Sequence, residues 1–208
     1  PGPIRQRPYR KSLSQVLAAF RKETQSLPLP ELGQAAFRLL LEQTGSSDAS
    51  LTQMHASGRI RASAAIPWTP EKIAWYARHG HTMLMMLTES SMIHFGWEIG
   101  PGIAFTFPDS IFRASAIYKF VYSRLGAHYM AATYLPPDPE GYKLVFAVTR
   151  PDRDYNRREL RALQAIIAEY GERMFHVPEM GEIQSGELER EGMTFELGPS
   201  FLAQGVSH

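Results

Sequence analysis

The spacing of apolar residues changes along the chain, and the change is clearest between residues 145 and 167. Residues 145–148 form a continuous apolar run of the kind that builds a buried strand. After Pro151 the apolar residues recur at helical spacing, at Leu160, Leu163, Ile166 and Ile167. The pattern predicts a buried strand, a charged turn, and a long closing helix that packs on the sheet.

Two further helices are predicted before the first strand. Ser12 can cap a short helix that ends near Pro28. A second helix begins at Pro30, where proline is favoured, and ends at Gly45, a natural terminator. The first helix belongs to an arm that we expect outside the main fold. Its apolar residues have no assigned cover: Val16, Leu17 and Phe20.

Alternating apolar residues on either side of turn residues predict two β-hairpins. Residues 49–56 and 59–66 flank the turn Ser57–Gly58 and form the first. Residues 127–135 and 142–150 flank a proline-rich turn and form the second. Antiparallel pairing within each hairpin is therefore expected.

Two more helices are predicted from their capping residues. Asp109 can cap a helix over residues 110–126, which Gly126 ends. Asp154 or Asn156 can cap the closing helix. The turn before that helix is predicted to be a solvated cap rather than a catalytic loop, comprising Arg150 and residues 152–158.

The order of these elements predicts an α+β domain, in which an antiparallel sheet is flanked by helices. We divide the chain into a basic helical arm at residues 1–27, a main domain at 28–176 and an acidic extension at 177–208. The expected buried core contains Phe37, Leu40, Phe120, Phe146, Leu163 and Ile167.

Residues 68–107, which we term the cover segment, are rich in aromatic residues and methionine and are broken by glycines. Pockets for small molecules are lined mainly by apolar and aromatic groups with few polar ones. The alternative is that these side chains simply fill the core, as methionine often does. Because strand alternation puts Tyr129 and Tyr134 on opposite faces, at most one of them faces a given pocket. The candidate ligand contacts are Trp68, Trp75, Met86, His94, Trp97, Tyr118 and Tyr129.

Composition excludes several classes of protein. The 208 residues are 44% hydrophobic and 21% charged, as in an ordinary globular chain. The absence of cysteine excludes disulfides, thiolate metal sites and thiol nucleophiles. The longest apolar run, residues 83–87, is far shorter than the roughly 20 residues of a membrane helix. We therefore expect a cytoplasmic protein without a membrane partner.

The net charge of +1 conceals opposite charges at the two ends of the chain. Residues 1–22 carry arginine and lysine with no acid, whereas glutamate dominates from Val177 onward. The basic arm could neutralise nucleic-acid phosphates, act as a transit peptide, or be a solvated or docked arm. The acidic residues of the extension are Glu179, Glu182, Glu187, Glu189, Glu191 and Glu196, against Arg190 alone.

No catalytic or metal-binding motif is evident. His79 and His81, with His94 further on, follow no metal-ligand template and have no nearby carboxylate in the same motif. The chain has no Gly-x-Ser-x-Gly elbow and no phosphate-binding loop. We therefore predict that the protein is not an enzyme, and we predict no cofactor and no bound metal.

The second half of the chain resembles the GAF-like ligand-sensing domain of LuxR-type bacterial transcription regulators. The resemblance covers roughly residues 30–175 and is clearest from 109 to 167: a helix with an arginine near its start and a tyrosine in its middle, then "SRLGAHYMAATYL", then "TRPDRDYNRRELRALQAI". The pair Asp154 and Tyr155 matches an aspartate-aromatic pair of the family. The resemblance implies a GAF/PAS-like antiparallel sheet and a sensory role.

Two family features are absent from the sequence. No helix-turn-helix sequence follows Phe175, so we expect no direct DNA binding from this chain. In the branch that binds acyl-homoserine lactones, a tryptophan is followed four residues on by a tyrosine. Here the residues at that offset from the three tryptophans are Lys72, His79 and Pro101. A lactone is therefore not the ligand that this sequence favours.

The resulting hypothesis is a sensor domain that binds a small apolar or aromatic molecule and acts by rearranging a homodimer. The dimer, or docking into a larger complex, would use the first and last helices, because their apolar surface exceeds what one sheet contact needs. The alternative is a non-catalytic adaptor that kept the fold, filled the pocket with its own side chains and docks in an assembly through arm and tail.

Overall fold

The computed structural model describes residues 11–55, 60–66, 95–96 and 98–174, and for residues 60–66 it describes the backbone alone. The helices are α1 (Leu13–Thr24), α2 (Leu29–Thr44), α3 (Asp109–Phe112) and α4 (Arg157–Met174), with a π-helical turn at Tyr118–Tyr122. The strands are β1 (Asp48–His55), β2 (Ile60–Ile66), β3 (Phe105–Thr106), β4 (Tyr129–Tyr134) and β5 (Tyr142–Arg150). In this part of the chain, no helix is long and apolar enough to span a membrane.

The five strands form one antiparallel sheet in the order β2-β1-β5-β4-β3. The central strand β5 pairs with β1 through partners such as Leu51 and Phe146, and with β4 through partners such as Ala131 and Val148. Both predicted hairpins are present as β1–β2 and β4–β5. The predicted α+β fold with an antiparallel sheet flanked by helices is confirmed.

One face of the sheet, which we term the helix face, packs against α2 and α4. Five of the predicted core residues are buried there, as expected: Phe37, Leu40, Phe146, Leu163 and Ile167. The helix α4 approaches the sheet closely at Gly171, where an added Cβ would lie 3.2 Å from Cζ of Phe146. A side chain at this position would require the packed side chains around it to shift by a few tenths of an ångström.

The opposite face, which we term the cover face, carries a second apolar cluster. Its floor includes Met54 of β1, Met130 and Ala132 of β4, and Ala147 of β5. Side chains from β3, α3, the π-helical turn and nearby residues pack against it: Phe95, Phe105, Phe107, Phe112, Ile117 and Val121. The sheet therefore separates two apolar layers.

The helix α1 packs on α4 of the same chain. Leu17 is buried in the helix-face cluster, and the Phe20 ring meets the Tyr170 ring edge-on at a centroid distance of 5.2 Å. Arg21 Nη2 donates to Glu169 Oε2 at 2.7 Å. The expectation that the apolar residues of α1 lack a cover in their own chain is wrong. Periodicity shows that a helix has an apolar face, but it cannot show which surface covers that face.

The predicted single helix over residues 110–126 is wrong. The helix α3 stops after Phe112, because the Ser115 hydroxyl donates to the Phe112 carbonyl and accepts from the Tyr118 amide, in place of continued helical bonding. The π-helical turn then follows, and Gly126 with φ +71° ends it. Phe120 lies in this turn and is only partly buried, contrary to prediction.

The predicted helix caps are present, with one exception. The Ser12 side chain and Gln15 form a capping box at α1, and Gly45 ends α2 with φ +63°. At α4 the cap is Asn156, whose Oδ1 accepts the amides of Arg158 and Glu159. The exception is Asp109, which does not cap α3, because Pro108 occupies the capping position without a side-chain bond.

The prediction that Arg150 lies in a solvated turn is also wrong. The residue is 1% exposed, and its guanidinium donates to the backbone carbonyls of Thr44, Arg153 and Asp154. It also donates to Glu159 Oε2 at 2.8 Å. We term these contacts the arginine clasp. The clasp ties the end of α2 and the end of β5 to the start of α4.

Candidate ligand-binding face

Two short side chains lie side by side on the cover face. Ala132 of β4 is the register partner of Ala147 of β5, and both are buried. Met130 and Met54 lie on the same face, and methionine adapts its shape readily. A floor of short and flexible side chains suits a small apolar molecule.

Aromatic rings form a wall beside this floor. Phe95 and Phe105 have a centroid distance of 5.9 Å, Phe105 and Phe107 one of 5.1 Å, and Phe107 and Phe112 one of 6.4 Å. The Phe112 ring also meets the Tyr118 ring edge-on at 5.0 Å. Aromatic rings in contact prefer tilted and edge-on geometries, and these preferences help to fix the positions of the rings.

A tyrosine and a histidine provide polar groups at one end of the wall. Tyr118 Oη lies 3.0 Å from His128 Nδ1, within hydrogen-bonding distance. Burial raises the pKa of the Tyr122 phenol to about 12. Polar groups of this kind fix the orientation of a ligand that apolar contacts hold.

The end of the cover segment is tied to the sheet at Tyr134. The Gly102 amide donates to the Tyr134 carbonyl at 2.8 Å. Burial raises the pKa of the Tyr134 phenol, and a backbone hydrogen bond from Gly100 acts in the opposite direction. Lys143 Nζ lies 4.7 Å from the centroid of the Tyr134 ring, and burial lowers the pKa of that ammonium group.

The structure places only two of the predicted ligand contacts among its described residues. Tyr118 packs in the cover-face cluster. Tyr129 is the register partner of Arg150 and packs against the helix-face cluster, with the Arg113 guanidinium 5.2 Å from its ring centroid. The two tyrosines therefore do not line one site, and the register puts Tyr134 on the cover face instead. The other predicted contacts lie outside the described residues: Trp68, Trp75, Met86, His94 and Trp97.

Sequence reasoning missed His128 and Arg113 as neighbours of the predicted tyrosines. His128 immediately precedes β4, and it reaches Tyr118 only because the chain between them makes the π-helical turn and then reverses at Gly126. Arg113 lies near Tyr129 because α3 stops at the preceding residue. The sequence feature that could have indicated this break in the helix is Ser115, whose hydroxyl can compete with helical hydrogen bonds.

Within residues 11–55 and 98–174, no cluster of histidine and carboxylate side chains could hold a metal ion. The charged groups that are buried there belong to the arginine clasp, whose bonds are directed at backbone carbonyls and at one another. The cover face is instead mainly apolar, with a few hydroxyl and imidazole groups and the Lys143 ammonium group at Tyr134. Its chemistry suits binding of a neutral molecule.

Comparison with solved structures shows what the described fold resembles. The N-acylhomoserine lactone-dependent LuxR-family transcription factor CepR2 from Burkholderia cenocepacia aligns with a TM-score of 0.51 and 14% identity, covering 77% of this chain and 92% of that one. This is the LuxR-type ligand-binding domain fold. No protein-family model and no curated protein sequence matches the chain.

Two further LuxR-type structures align less closely with the same region. Escherichia coli SdiA has a TM-score of 0.48 and 12% identity, covering 81% of this chain and 71% of that one. The VqsR LBD domain from Pseudomonas aeruginosa has a TM-score of 0.47 and 11% identity, covering 79% and 94%. At these identities the likeness concerns the fold alone. The LuxR-type part of the predicted resemblance is supported, while the GAF-like comparison stays a prediction.

Proposed function

We propose that the chain is a regulatory ligand-sensing domain of a bacterial LuxR-type regulator, which binds a small apolar or aromatic molecule on its cover face. The observation that carries the proposal is the pairing of Ala132 with Ala147 beneath a wall of phenylalanine rings. Tyr118 and His128 supply polar contacts at one end. The LuxR-type fold supports the same class of function.

The sheet offers a route by which a ligand would influence the helices. Ala147 faces the ligand side of β5, and its neighbours Phe146 and Val148 pack on the helix face. Phe146 contacts α4 at Gly171, and α4 in turn holds α1. The sheet and helices could adopt more than one relative arrangement. A ligand that binds one arrangement more tightly than another would shift the population of helix positions.

If the domain acts as a dimer, the terminal helices would not meet through their apolar surfaces. The apolar stripes of α1 and α4 are covered within the chain. The exposed side of α4 carries Arg157, Arg158 and Arg161. A dimer contact on this side of α4 would therefore be polar and weakened by salt.

The adaptor alternative is favoured by the density of ring contacts among Phe95, Phe105 and Phe107. A face that is already filled by its own side chains would bind nothing. The sensor function requires free space above Ala132, whereas the adaptor function requires that this space is filled.

The experiment compares substitutions at Ala132 and Ala131, two neighbouring alanines on opposite faces of β4. Ala132→Phe should occupy the ligand space, keep the free energy of unfolding within about 1 kcal/mol of the parent, and weaken binding of the apolar fluorophore N-phenyl-1-naphthylamine at least about tenfold. Ala131→Phe is the matched control. Ala131 is fully buried against the helices, so overpacking should cost about 1–3 kcal/mol.

Fluorescence titration and urea unfolding of the parent and both variants give the result. If the parent does not bind the fluorophore and Ala132→Phe is as destabilised as Ala131→Phe, the cover face is filled. The sensor proposal would then fail, and the adaptor function would replace it.

A further inference from the structure

A groove of about 440 Å³ lies between α1, the connection from α1 to α2, the first turn of α2, and the last turns of α4. We term it the terminal groove. Its apolar wall consists of Leu27, Leu29 and Leu32. Leu29 is 46% exposed, which makes it one of two large apolar side chains that are exposed in the described part of the chain. Water is thus left against an apolar surface that a further segment could cover.

The opposite wall of the terminal groove is basic and aromatic. Arg21 and Glu169 line it as a bidentate ion pair, with Arg21 Nη2 2.7 Å from Glu169 Oε2. The Arg173 guanidinium lies outside that pair, 5.6 Å from the centroid of the Tyr170 ring. An occupant with both apolar and acidic side chains would match the two walls.

The residues that follow α4 have this composition. The last residue of α4 is Met174, directly after Arg173 of the groove wall, so the chain continues from the rim of the groove. From Val177 to Leu197 the sequence has six glutamates against Arg190, a net charge of −5. Apolar residues alternate with them: Met180, Ile183, Leu188, Met193, Phe195 and Leu197.

We propose that the acidic extension, residues 177–208, docks into the terminal groove of its own chain. Its apolar side chains cover Leu27, Leu29 and Leu32, and its glutamates lie near Arg173. Attachment at Met174 raises the effective concentration of the segment to the millimolar range, so that weak contacts suffice. Docking of this kind would link the extension to α1 and α4, the helices that the proposed ligand would shift.

Docking of the extension can be tested in the full chain. The sequence has no cysteine, so two cysteines can be introduced as the only sites for spin labels. Ser26→Cys places one label on the exposed connection beside the groove, and Gln184→Cys places the other in the extension. Double electron–electron resonance should give a narrow short-distance population in this parent. Leu29→Asp and Arg173→Glu should each convert it to a broad distribution.

Arg161→Glu is the matched control, since it makes the same charge change on an exposed position of α4 away from the groove. It should leave the narrow population unchanged. A broad distribution in the parent, or a narrow one that both groove variants retain, would overturn the proposal. So would loss of the short distance on dilution with unlabelled protein, because the extension would then dock on a second copy.

Discussion

Replacing Arg150 by methionine should lower the free energy of unfolding by about 3–5 kcal/mol, the usual cost of removing one partner from a buried ion pair. The arginine is 1% exposed and satisfies the carbonyls of Thr44, Arg153 and Asp154. Its loss takes this donor from the Thr44 and Arg153 carbonyls, leaves the Asp154 carbonyl only a longer bond from Arg153, and removes a bond to Glu159. Urea unfolding at neutral pH measures the change.

Arg153→Met is the matched control for this experiment. Arg153 bonds the same Glu159 carboxylate, with Nη2 2.6 Å from Oε1, but its side chain is 52% exposed. Exposed ion pairs contribute about 0–1 kcal/mol. Equal losses in the two variants would mean that burial of Arg150 does not decide its contribution to stability, and that the arginine clasp does not hold α2, β5 and α4 together.

The clasp also predicts how stability depends on pH. Burial alone would raise the pKa of Glu159, but hydrogen bonds from Arg150, Arg153 and the Asn156 backbone outweigh it and lower the pKa from 4.5 to about 2. The ionised carboxylate therefore stabilises the fold above about pH 4.5, and this contribution is lost as the pH falls towards about 2. The stability difference between parent and Arg150→Met should be smaller at about pH 3 than at about pH 7. An equal difference at both values would contradict the role of Glu159.

Phe146→Ala should cost about 3–5 kcal/mol in the same unfolding measurement, as large-to-small changes in a packed core do. Phe146 is 1% exposed on the central strand and lies against α4 at Gly171. The cavity would open between the sheet and the helix, where neither can close it without moving the other.

Phe120→Ala is the control for that substitution, because Phe120 is only partly buried. It should cost clearly less than Phe146→Ala. If both cost the same, the difference in burial between Phe146 and Phe120 would not decide the cost of removing the ring.

The parts of the fold that the sequence predicts well are those governed by local rules. The apolar run at residues 145–148 gave the central strand, and turn residues gave both hairpins. Gly45 and Asn156 mark helix ends because each satisfies backbone groups within a few residues. Such features depend on neighbours in sequence, so a single chain is enough to infer them.

The parts that the sequence predicts poorly depend on contacts between distant residues. Arg150 looks like a turn residue until α2 brings the Thr44 carbonyl to it. The apolar residues of α1 look uncovered until Tyr170 lies across Phe20. The candidate ligand site is the part that the sequence predicts least well. Tyr118 meets His128 only through an irregular π-helical turn, which periodicity cannot reveal.

Native mass spectrometry of the purified chain tests the central claim most directly. If the cover face is a sensor site, the parent should bind one molecule of an added apolar probe such as N-phenyl-1-naphthylamine, and Ala132→Phe should bind none while staying folded. Those paired spectra are the result that we predict. A parent that stays free of the probe at concentrations well above those used in the fluorescence titration would contradict the sensor function.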